Sequence, residues 1–370
     1  MMIFVNFVTL QCSLLVKKPS CNNLMLSQSS KTYIKHRIQK KMAKLYILTT
    51  IFVILLGVFL NYPAPELSNN LKRWKEQGKY LNYGDNRIFY IDSQGQGMKD
   101  DVVICLHGFP TSSYDWKEVW PRLHETFGEV VTLDFLGFGF SDKPKSHNYS
   151  IMEQADIAEK LLLHLNVKEV HILAHDYGDT VAQELLYRFD TKKLTSHHAL
   201  AIKSVCLLNG GILPETNFPR LGQKILMNPW LAPVASRLMN YASFKRGLGE
   251  VFGSRTQPRS NEMWDYWTAV RFNDGDQISH RLLRYVPERF ANRDRWVGVL
   301  QTTSVPVRVI YGPADPVNPK EFVDRYRELI PHGIISRLDS HISHYPQVED
   351  PVSTMGAYRQ FLESNHLIDP

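Results

Sequence analysis

The chain has 370 residues, of which 44% are hydrophobic and 22% are charged, a composition typical of a globular protein with a large core. One catalytic domain of roughly 300 residues with additional segments accounts for this length. The net charge of +6 is concentrated in residues 1–44, which hold eight Lys and Arg and no acid; the remainder therefore carries −2, which excludes a basic face for nucleic acid.

The first predicted element is a transmembrane anchor over residues 45–62, preceded by a basic tail over residues 1–44. No charged residue occurs between 45 and 65, and this length approaches the ~20 residues that cross a bilayer. A cleavable signal peptide that starts at Met42 is the alternative, but Pro65 directly follows the small-residue site and disfavours cleavage. The sequence leaves open whether translation starts at Met1 or Met42.

The charges around the anchor predict its orientation. Basic residues are more numerous before it than after it, which favours a cytosolic N-terminus and a lumenal enzyme. Asn148 begins an Asn-Tyr-Ser glycosylation sequon, which would be used in the lumen. Ser150 and Glu153 equally fit a helix capping box, so both interpretations of this segment stay open.

Beyond the anchor, short apolar runs alternate with helical stretches. The runs predict strands at residues 79–83, 88–92, 102–106, 130–135, 170–175, 204–209, 307–311 and 334–338. Such alternation is typical of a doubly wound α/β sheet, whose ligands bind at the carboxyl ends of the strands. The alternation stops between residues 211 and 300, which predicts a core over 70–210, an inserted helical cap over 211–300 and the rest of the core over 301–370.

Residues 170–182 read VHILAHDYGDTVA, the pattern of a strand, a sharp turn and a helix that forms a nucleophile elbow. Asp176 occupies the position of the nucleophile. A carboxylate cannot form the acyl-enzyme of a serine esterase, but it can attack an electrophilic sp³ carbon and form an ester of its own side chain. The pattern therefore predicts an alkyl-enzyme ester that an activated water must hydrolyse.

An acid and a histidine follow Asp176 in the order that α/β-hydrolases use. Asp315 comes after the apolar run 307–311, and His344 lies in a later loop, with His341 as the competing base. In this hypothesis His344 takes the proton of the attacking water, and Asp315 orients the imidazole and stabilises its cation.

The oxyanion hole is predicted from two backbone N–H groups. Phe109 follows the apolar strand 102–106, and Tyr177 follows the nucleophile. Both N–H groups are expected to converge on the carboxyl oxygen of the Asp176 ester. Two neighbouring histidines, His107 and His175, are expected to bind backbone groups and shape their loops.

The predicted cap is rich in aromatic side chains. They are Trp230, Tyr241, Phe244, Trp264, Tyr266, Trp267, Tyr285 and Trp296. A helical segment of this composition, inserted after the strand that ends at residue 209, is expected to close over Asp176 and form an apolar pocket. The expected ligand is a small hydrophobic or lipid-like molecule.

Several motifs resemble the epoxide hydrolase and haloalkane dehalogenase branch of the α/β-hydrolases. They are HGFP at 107–110, DFLGFGFSDKP at 134–144, HDYG at 175–178 and the loop of His344. The resemblance implies an α/β-hydrolase fold with an inserted helical cap. It favours His344 over His341, because the family's loop histidine precedes an aromatic-Pro-Gln-acid-Pro sequence.

The same resemblance implies that two cap tyrosines donate protons to an opening epoxide. The surroundings of Tyr285 match the second of these tyrosines, while Tyr241 and Tyr266 compete for the first. Dehalogenation is disfavoured, because Tyr177 stands where a dehalogenase holds the halide with a tryptophan N–H. Asp179 also departs from the pattern, since a small residue is usual there and an acid so close to Asp176 would weaken the nucleophile.

Five longer blocks resemble a narrower group of animal proteins within this branch. They are residues 106–116, 174–188, 209–216, 311–319 and 341–351, and the likeness runs from residue 62 to the C-terminus. That group is classed with the hydrolases and placed at the endoplasmic reticulum membrane, which implies a single-pass protein there.

The leading hypothesis is a membrane-anchored hydrolase that acts on an epoxide or a similarly activated lipid-like substrate. The alternatives are a catalytically silent protein that binds a lipid or a partner, and a lipid acyltransferase. No motif indicates a cofactor or a metal site, and none identifies a protein partner. Cys105 and Cys206 lie in predicted interior strands and are expected to be free thiols.

Overall fold

The computed structural model describes residues 28–193 and 200–368, and the chain divides into two units. The first unit ends at Tyr62 and contains one described helix, α1 (Gln28–Leu60). Within the described residues, α1 is the one helix long and apolar enough to cross a membrane. It begins well before the predicted boundary at residue 45, because the basic segment up to Lys44 also consists of good helix formers. Residues 1–27 of the predicted tail lie outside the described part.

The second unit begins at Pro63 and is built on an eight-stranded sheet in the order β1-β2-β4-β3-β5-β6-β7-β8. The pairs β1–β2 and β2–β4 are antiparallel, and the others are parallel. The strands are β1 (Lys79–Tyr83), β2 (Asn86–Gln94), β3 (Val102–Leu106), β4 (Glu129–Leu133), β5 (Glu169–His175), β6 (Ala201–Leu208), β7 (Val307–Tyr311) and β8 (Ile334–Arg337).

Helices connect these strands and cover the sheet. They are α2 (Asn69–Glu76), α3 (Trp120–Thr126), α4 (Ile151–His164), α5 (Tyr177–Lys193), α6 (Leu221–Met227), α7 (Ala232–Leu238), α8 (Tyr241–Gly249), α9 (Ser260–Arg271), α10 (Ser279–Leu282), α11 (Tyr285–Ala291), α12 (Arg293–Thr302), α13 (Glu321–Leu329), α14 (Pro346–Glu349) and α15 (Pro351–Ser364). The segment between β6 and β7 contains α6 to α12 and no described strand, as expected for an inserted helical cap.

The sheet is buried on both faces. In β3, Ile104 and Leu106 belong to one hydrophobic cluster, whereas Val103 and Cys105 belong to a second. Because successive side chains of a strand point to opposite faces, the two clusters lie on opposite sides of the sheet. Cys105 and Cys206 are buried free thiols, which confirms that prediction. The eight predicted strands are present, with ends shifted by up to a few residues.

Candidate active site

Asp176 occupies the sharp turn between β5 and α5. Its φ angle is 47°, in the left-handed region that Asp tolerates better than most other residues. Its N–H donates to Leu208 O at 3.2 Å, which attaches the turn to the end of β6. The turn holds a buried carboxylate at the carboxyl ends of the central strands, where a doubly wound sheet binds its ligands.

Asp179 is also buried, and it holds the end of β6. Its Oδ1 accepts the Leu208 N–H at 3.3 Å, and its Oδ2 accepts the Gly210 N–H at 2.9 Å. A Cβ on residue 210 would overlap Oδ2, so the glycine provides the space that this acid needs. Burial raises the pKa of Asp179 well above its usual range, and the charge of Asp176 adds to this effect. The raised pKa disfavours a second negative charge beside Asp176.

Asp315 lies in the loop after β7 and is held by hydrogen bonds to both oxygens. Its Oδ2 accepts from Asn209 Nδ2 at 2.9 Å and from Asn318 Nδ2 at 3.0 Å, and its Oδ1 accepts from Val317 N at 2.7 Å. Burial alone would raise the pKa of this carboxyl, but the charge of His344 and these hydrogen bonds outweigh burial and lower it. Asp315 is therefore an ionised partner for the histidine.

His344 lies between the two carboxylates. Its Nδ1 is 2.9 Å from Asp315 Oδ2, and its Nε2 is 4.0 Å from Asp176 Oδ1. Burial lowers the pKa of His344, but the hydrogen bond to Asp315 and the charges of Asp315 and Asp176 raise it to about 9. His341 instead binds Asp339 at 2.5 Å at the surface, so the structure brings His344 to the nucleophile and leaves His341 outside.

The predicted oxyanion hole contains a donor that already binds the nucleophile. Phe109 N–H donates to Asp176 Oδ2 at 3.0 Å. Tyr177 is the first residue of α5, so its N–H has no acceptor within the helix and is available next to Asp176. These two N–H groups flank the elbow, as the sequence predicted.

The neighbouring histidines contact backbone groups. His107 accepts the Phe135 N–H on Nε2 at 3.1 Å, and its Nδ1 is 2.8 Å from Gly108 O. His175 Nε2 is 2.8 Å from His344 O. Burial, followed by the charge of His344, lowers the pKa of His175 to about 3, so this ring stays neutral. Both histidines shape the loops that carry catalytic groups.

Helix α11 supplies the cap residues that face Asp176. Tyr285 packs its ring 5.0 Å from that of Tyr177 and 6.1 Å from that of Phe109. Burial, and then the charge of Asp176, raise the pKa of Tyr285 far above its usual range. The Tyr285 hydroxyl has no hydrogen-bond partner within the described residues, and it is a phenol at neutral pH. It therefore has a proton to donate.

Arg289, one turn further along α11, is the residue at this site that the sequence did not assign a role. Its Nη2 donates to Asp176 O at 3.0 Å and lies 3.6 Å from Asp176 Oδ1, while its Nε donates to Thr180 at 2.8 Å. The side chain is 2% exposed. Its Nη1 makes no hydrogen bond within the described chain and fits against Gly211, where a Cβ would overlap it. The guanidinium places a permanent positive charge beside the nucleophilic carboxylate.

The two candidates for the first cap tyrosine lie in different places. Tyr266 is buried beside Tyr114 at a ring distance of 6.2 Å, and the nearby Asp115 and Tyr345 contribute to its raised pKa after burial, the largest cause. Tyr345 follows His344 and donates its hydroxyl to Phe109 O at 3.2 Å, so Tyr266 borders the catalytic loops. Tyr241 instead donates to Ser260 O at 3.3 Å and packs on the partly exposed Trp264. No described contact joins Tyr241 to the catalytic residues.

Asn148 lies at the surface, where its Oδ1 accepts a hydrogen bond from Arg284. Its amide nitrogen, the atom that would carry a glycan, makes no hydrogen bond within the described residues. Ser150 caps α4 by accepting the Glu153 N–H at 3.2 Å. Ser150 therefore caps α4, but the reciprocal bond of a capping box is not among the described contacts, because the Glu153 carboxylate lies 2.7 Å from His147 Nε2. Asn148 stays accessible.

Fold and site together define an α/β-hydrolase. Residues 101–229 match the family model described as the alpha/beta hydrolase fold. Among solved structures, the haloalkane dehalogenase DatA from Agrobacterium tumefaciens is similar, with a TM-score of 0.64 and 17% identity over 83% of this chain and 99% of its own. At this identity the likeness shows the fold alone.

The sequence comparison is more specific. The chain is 52% identical to the mesoderm-specific transcript homolog protein of Bos taurus over 316 residues, which are 84% of this chain and 93% of that protein. The chain belongs to the mesoderm-specific transcript family, the narrower animal group that the five sequence blocks indicated. It is also 27% identical over 278 residues to a cis-3-alkyl-4-alkyloxetan-2-one decarboxylase of Shewanella oneidensis, over 72% of this chain and 82% of that one.

Proposed function

We propose that this protein is a hydrolase that opens a strained ring in a hydrophobic, lipid-like molecule through an ester of Asp176. The observation that carries this proposal is that the two oxygens of the Asp176 carboxylate have different neighbours. Oδ2 accepts the Phe109 N–H at 3.0 Å, whereas Oδ1 faces Arg289 at 3.6 Å and His344 at 4.0 Å. Oδ2 is thus held as the future carbonyl oxygen, and Oδ1 is left to attack carbon.

In the first step, Oδ1 attacks an sp³ ring carbon and the bond from that carbon to the ring oxygen breaks. The ring oxygen leaves as an alkoxide and takes a proton from the Tyr285 hydroxyl. The raised pKa of Tyr285 keeps that proton in place until the alkoxide develops. Tyr266 is the second candidate donor.

In the second step, water attacks Cγ of the Asp176 ester and gives a proton to His344. The negative charge that develops on Oδ2 is stabilised by the N–H groups of Phe109 and Tyr177. The bond from Cγ to Oδ1 then breaks, and Oδ1 leaves with the product and takes the proton from the His344 cation. The oxygen of the water remains in Asp176, and the second proton of the water returns to the Tyr285 phenolate, so both residues are restored.

The pKa of His344 is expected to change between the two steps in the direction that catalysis requires. In the resting protein, the negative charge of Asp176 contributes to raising that pKa to about 9. Formation of the ester removes this charge, so the pKa of His344 falls when the histidine must act as a base. Asp315 retains its negative charge and stabilises the cation that forms.

An epoxide is the leading substrate class. The supporting feature is Tyr285 beside Tyr177 and Phe109, because its hydroxyl is unpaired within the described residues and would protonate an opened ring oxygen. A second candidate is the oxetan-2-one named for the Shewanella relative, a four-membered lactone ring that carries alkyl chains. Its ring also offers an sp³ carbon bonded to oxygen, and its leaving group is a carboxylate. Halide release is disfavoured, since the Tyr177 side chain offers no N–H.

Trapping tests the proposal. The His344→Gln protein is incubated with a long-chain epoxide, a dialkyl oxetan-2-one or a lipid extract, and the peptide containing Asp176 is weighed by mass spectrometry. We expect a stable added mass on Asp176, since the first step proceeds and the second does not. The first turnover of the wild-type protein in H₂¹⁸O should place ¹⁸O in Asp176 and unlabelled oxygen in the product.

The outcomes separate the alternatives. A protein that binds lipid without turnover would leave Asp176 unmodified in every sample. An acyltransferase would carry an acyl group on another residue, and the adduct would persist in Asp176→Asn. The absence of an Asp176 adduct with both ring classes and with lipid extract would exclude this nucleophile.

We further propose that α1 anchors the protein in the endoplasmic reticulum membrane with the hydrolase in the lumen. The apolar part of α1 after Lys44, the excess of basic residues before that part and the accessible amide of Asn148 support this topology. The protein should resist carbonate extraction, and wild type but not Asn148→Gln should lose mass on deglycosylation. Digestion of the hydrolase by protease outside sealed microsomes would place it in the cytosol instead.

A further inference from the structure

An exposed apolar surface lies on the cap, on helices α6 and α7 and the turn that joins them, here called the cap hairpin (residues 221–238). Its exposed apolar side chains are Leu221, Ile225, Trp230, Leu231, Val234 and Leu238. Trp230 is 87% exposed and Leu221 is 70% exposed. Single exposed apolar residues are ordinary, but a contiguous group of large ones marks an interaction surface.

The apolar residues of each helix share one face. Leu221 and Ile225 are four residues apart on α6, and Val234 and Leu238 are four apart on α7, so each pair lies on one side of its helix. Trp230 and the adjacent Leu231 continue this surface across the turn. The pattern is that of an amphipathic hairpin whose apolar side has no cover within the described chain.

The opposite side of the hairpin is fixed to the cap. Ala232 and Ser236 of α7 are buried, and Ser236 Oγ is hydrogen-bonded to His280 Nδ1 at 2.9 Å. Leu226 and Met227 of α6 pack against the core. The exposed face is therefore a fixed surface of the folded cap.

The charge around this surface is of one sign. Residues 216–249 contain five basic residues and no acid: Arg220, Lys224, Arg237, Lys245 and Arg246. Arg220 and Arg246 share Glu250 at 3.6 Å each. Lys224, Arg237 and Lys245 make no salt bridge within the described residues, although the charge of Arg237 acts on Asp276. In sequence, Lys224 and Arg237 lie between the paired apolar residues of α6 and α7.

We propose that the cap hairpin is a second membrane-contact surface, which inserts Trp230 and its apolar neighbours into a bilayer that contains anionic lipids. Aliphatic side chains with a tryptophan at the tip suit the boundary between headgroups and acyl chains, where the indole N–H stays hydrated. The unpaired basic residues suit phosphate and carboxylate headgroups. This contact is additional to α1 and does not depend on the proposed chemistry.

A cavity of about 580 Å³ lies beside the core-facing side of the hairpin, where Met227 lines it together with Arg281, Val286 and Phe290. Val286 and Phe290 belong to α11, which also carries Tyr285 and Arg289.

Tryptophan quenching in nanodiscs tests this proposal. The full chain is produced without glycan, because Asn148 also lines the cavity. It is reconstituted at one chain per disc, in phosphatidylcholine with or without phosphatidylserine. Acyl chains brominated near the headgroup quench tryptophans that enter the bilayer. We expect quenching in anionic discs that Trp230→Phe removes, leaving the emission of the other tryptophans.

Charge reversal tests the electrostatic part. The double variant Lys224→Glu, Arg237→Glu should weaken hairpin docking in anionic discs by more than about tenfold. The matched control reverses Lys320 and Arg327, two exposed basic residues at α13, and should leave quenching unchanged. Neither change touches the catalytic groups, so trapping of Asp176 by a soluble epoxide should be equal in all these variants.

Two results would overturn the proposal. The first is a Trp230 that is unquenched in both lipid compositions although the chain co-elutes with the disc. The second is burial of Trp230 only when two chains share a disc, which would identify a second copy as the occupant. Failure of the trapping experiment, by contrast, would leave the membrane contact unaffected.

Discussion

The sheet and the cap contribute to the site in different ways. At the ends of β5 and β7, the carboxylates of Asp176 and Asp315 are held by backbone N–H groups and buried amides, and Asp315 in turn binds His344. The cap reaches Asp176 through α11, and its Tyr285 hydroxyl has no described partner. In the proposed function, the core forms the ester bond and the cap activates the substrate.

Replacement of the nucleophile is expected to have the largest effect. Asp176→Asn should reduce turnover by at least about 10⁴-fold, because it removes the attacking oxygen from otherwise intact machinery. The matched control is Asp179→Asn in the same helix turn. In this variant the side-chain NH₂ group would face a backbone N–H that has lost its acceptor, which should lower the free energy of unfolding by about 1–3 kcal/mol. Ester formation should persist. Equal losses of activity in both folded variants would contradict the separate roles of these acids.

The second prediction tests the cap donor. Tyr285→Phe should slow alkylation of Asp176 by an epoxide by about 10²-fold to 10⁴-fold, the contribution of a positioned acid. Hydrolysis of the preformed ester should change much less, and a lactone, whose leaving group needs no proton, should also be less affected. Rapid-quench measurements of both steps provide the test. Equal slowing of both steps would assign Tyr285 to packing.

The third prediction concerns the buried charge. Arg289→Met should slow release of product from the ester by about 10²-fold, because Oδ1 develops negative charge 3.6 Å from the guanidinium as it leaves. Arg295→Met on α12 is the control, since Arg295 binds Glu184 at 2.7 Å instead of the catalytic acid. Recovery of most of the rate by Arg289→Lys would indicate a role of charge, and no recovery would indicate a role of geometry.

The smallest expected effect is a pH-dependence of stability. The pKa of His344 is raised from 6.5 to about 9 on folding, so its contribution to stability is fully present below pH 6.5 and is lost as pH rises through about 9. The difference in melting temperature between wild type and His344→Gln should therefore decrease between pH 6 and pH 10. A constant difference would show that the histidine is not paired in this way.

The sequence was sufficient to predict the parts of the molecule that depend on local patterns. The apolar runs located the eight strands, and the motifs around Asp176, Asp315 and His344 predicted that these three residues lie together. Their roles stay predictions until trapping is performed. Asp176 and Asp315 follow strands, so their positions depend mainly on the sheet. The loop of His344 is also held by the cap, because the His344 N–H donates to Val251 O at 3.2 Å.

The rest depends on packing between distant segments. Arg289 contacts the site through the association of the cap with the core, and Asn209 contacts it through the packing of the loop after β6 on the loop after β7. No periodic pattern encodes either contact. The choice between Tyr241 and Tyr266 depends in the same way on how α8 and α9 pack. Helix α1 begins before the predicted anchor, because hydrophobicity marks where a helix can enter a membrane, whereas helix propensity decides where it begins.

The two adjacent glycines that follow β6 have a consequence for engineering this family. Gly210 leaves space for the Asp179 carboxyl of the core, and Gly211 leaves space for the Arg289 guanidinium of the cap. The junction therefore fits one core residue on one side and one cap residue on the other. A chimaera that exchanges caps between relatives must therefore transfer the residue facing Gly211 together with the junction. Otherwise the positive charge that the cap supplies beside Asp176 will be displaced.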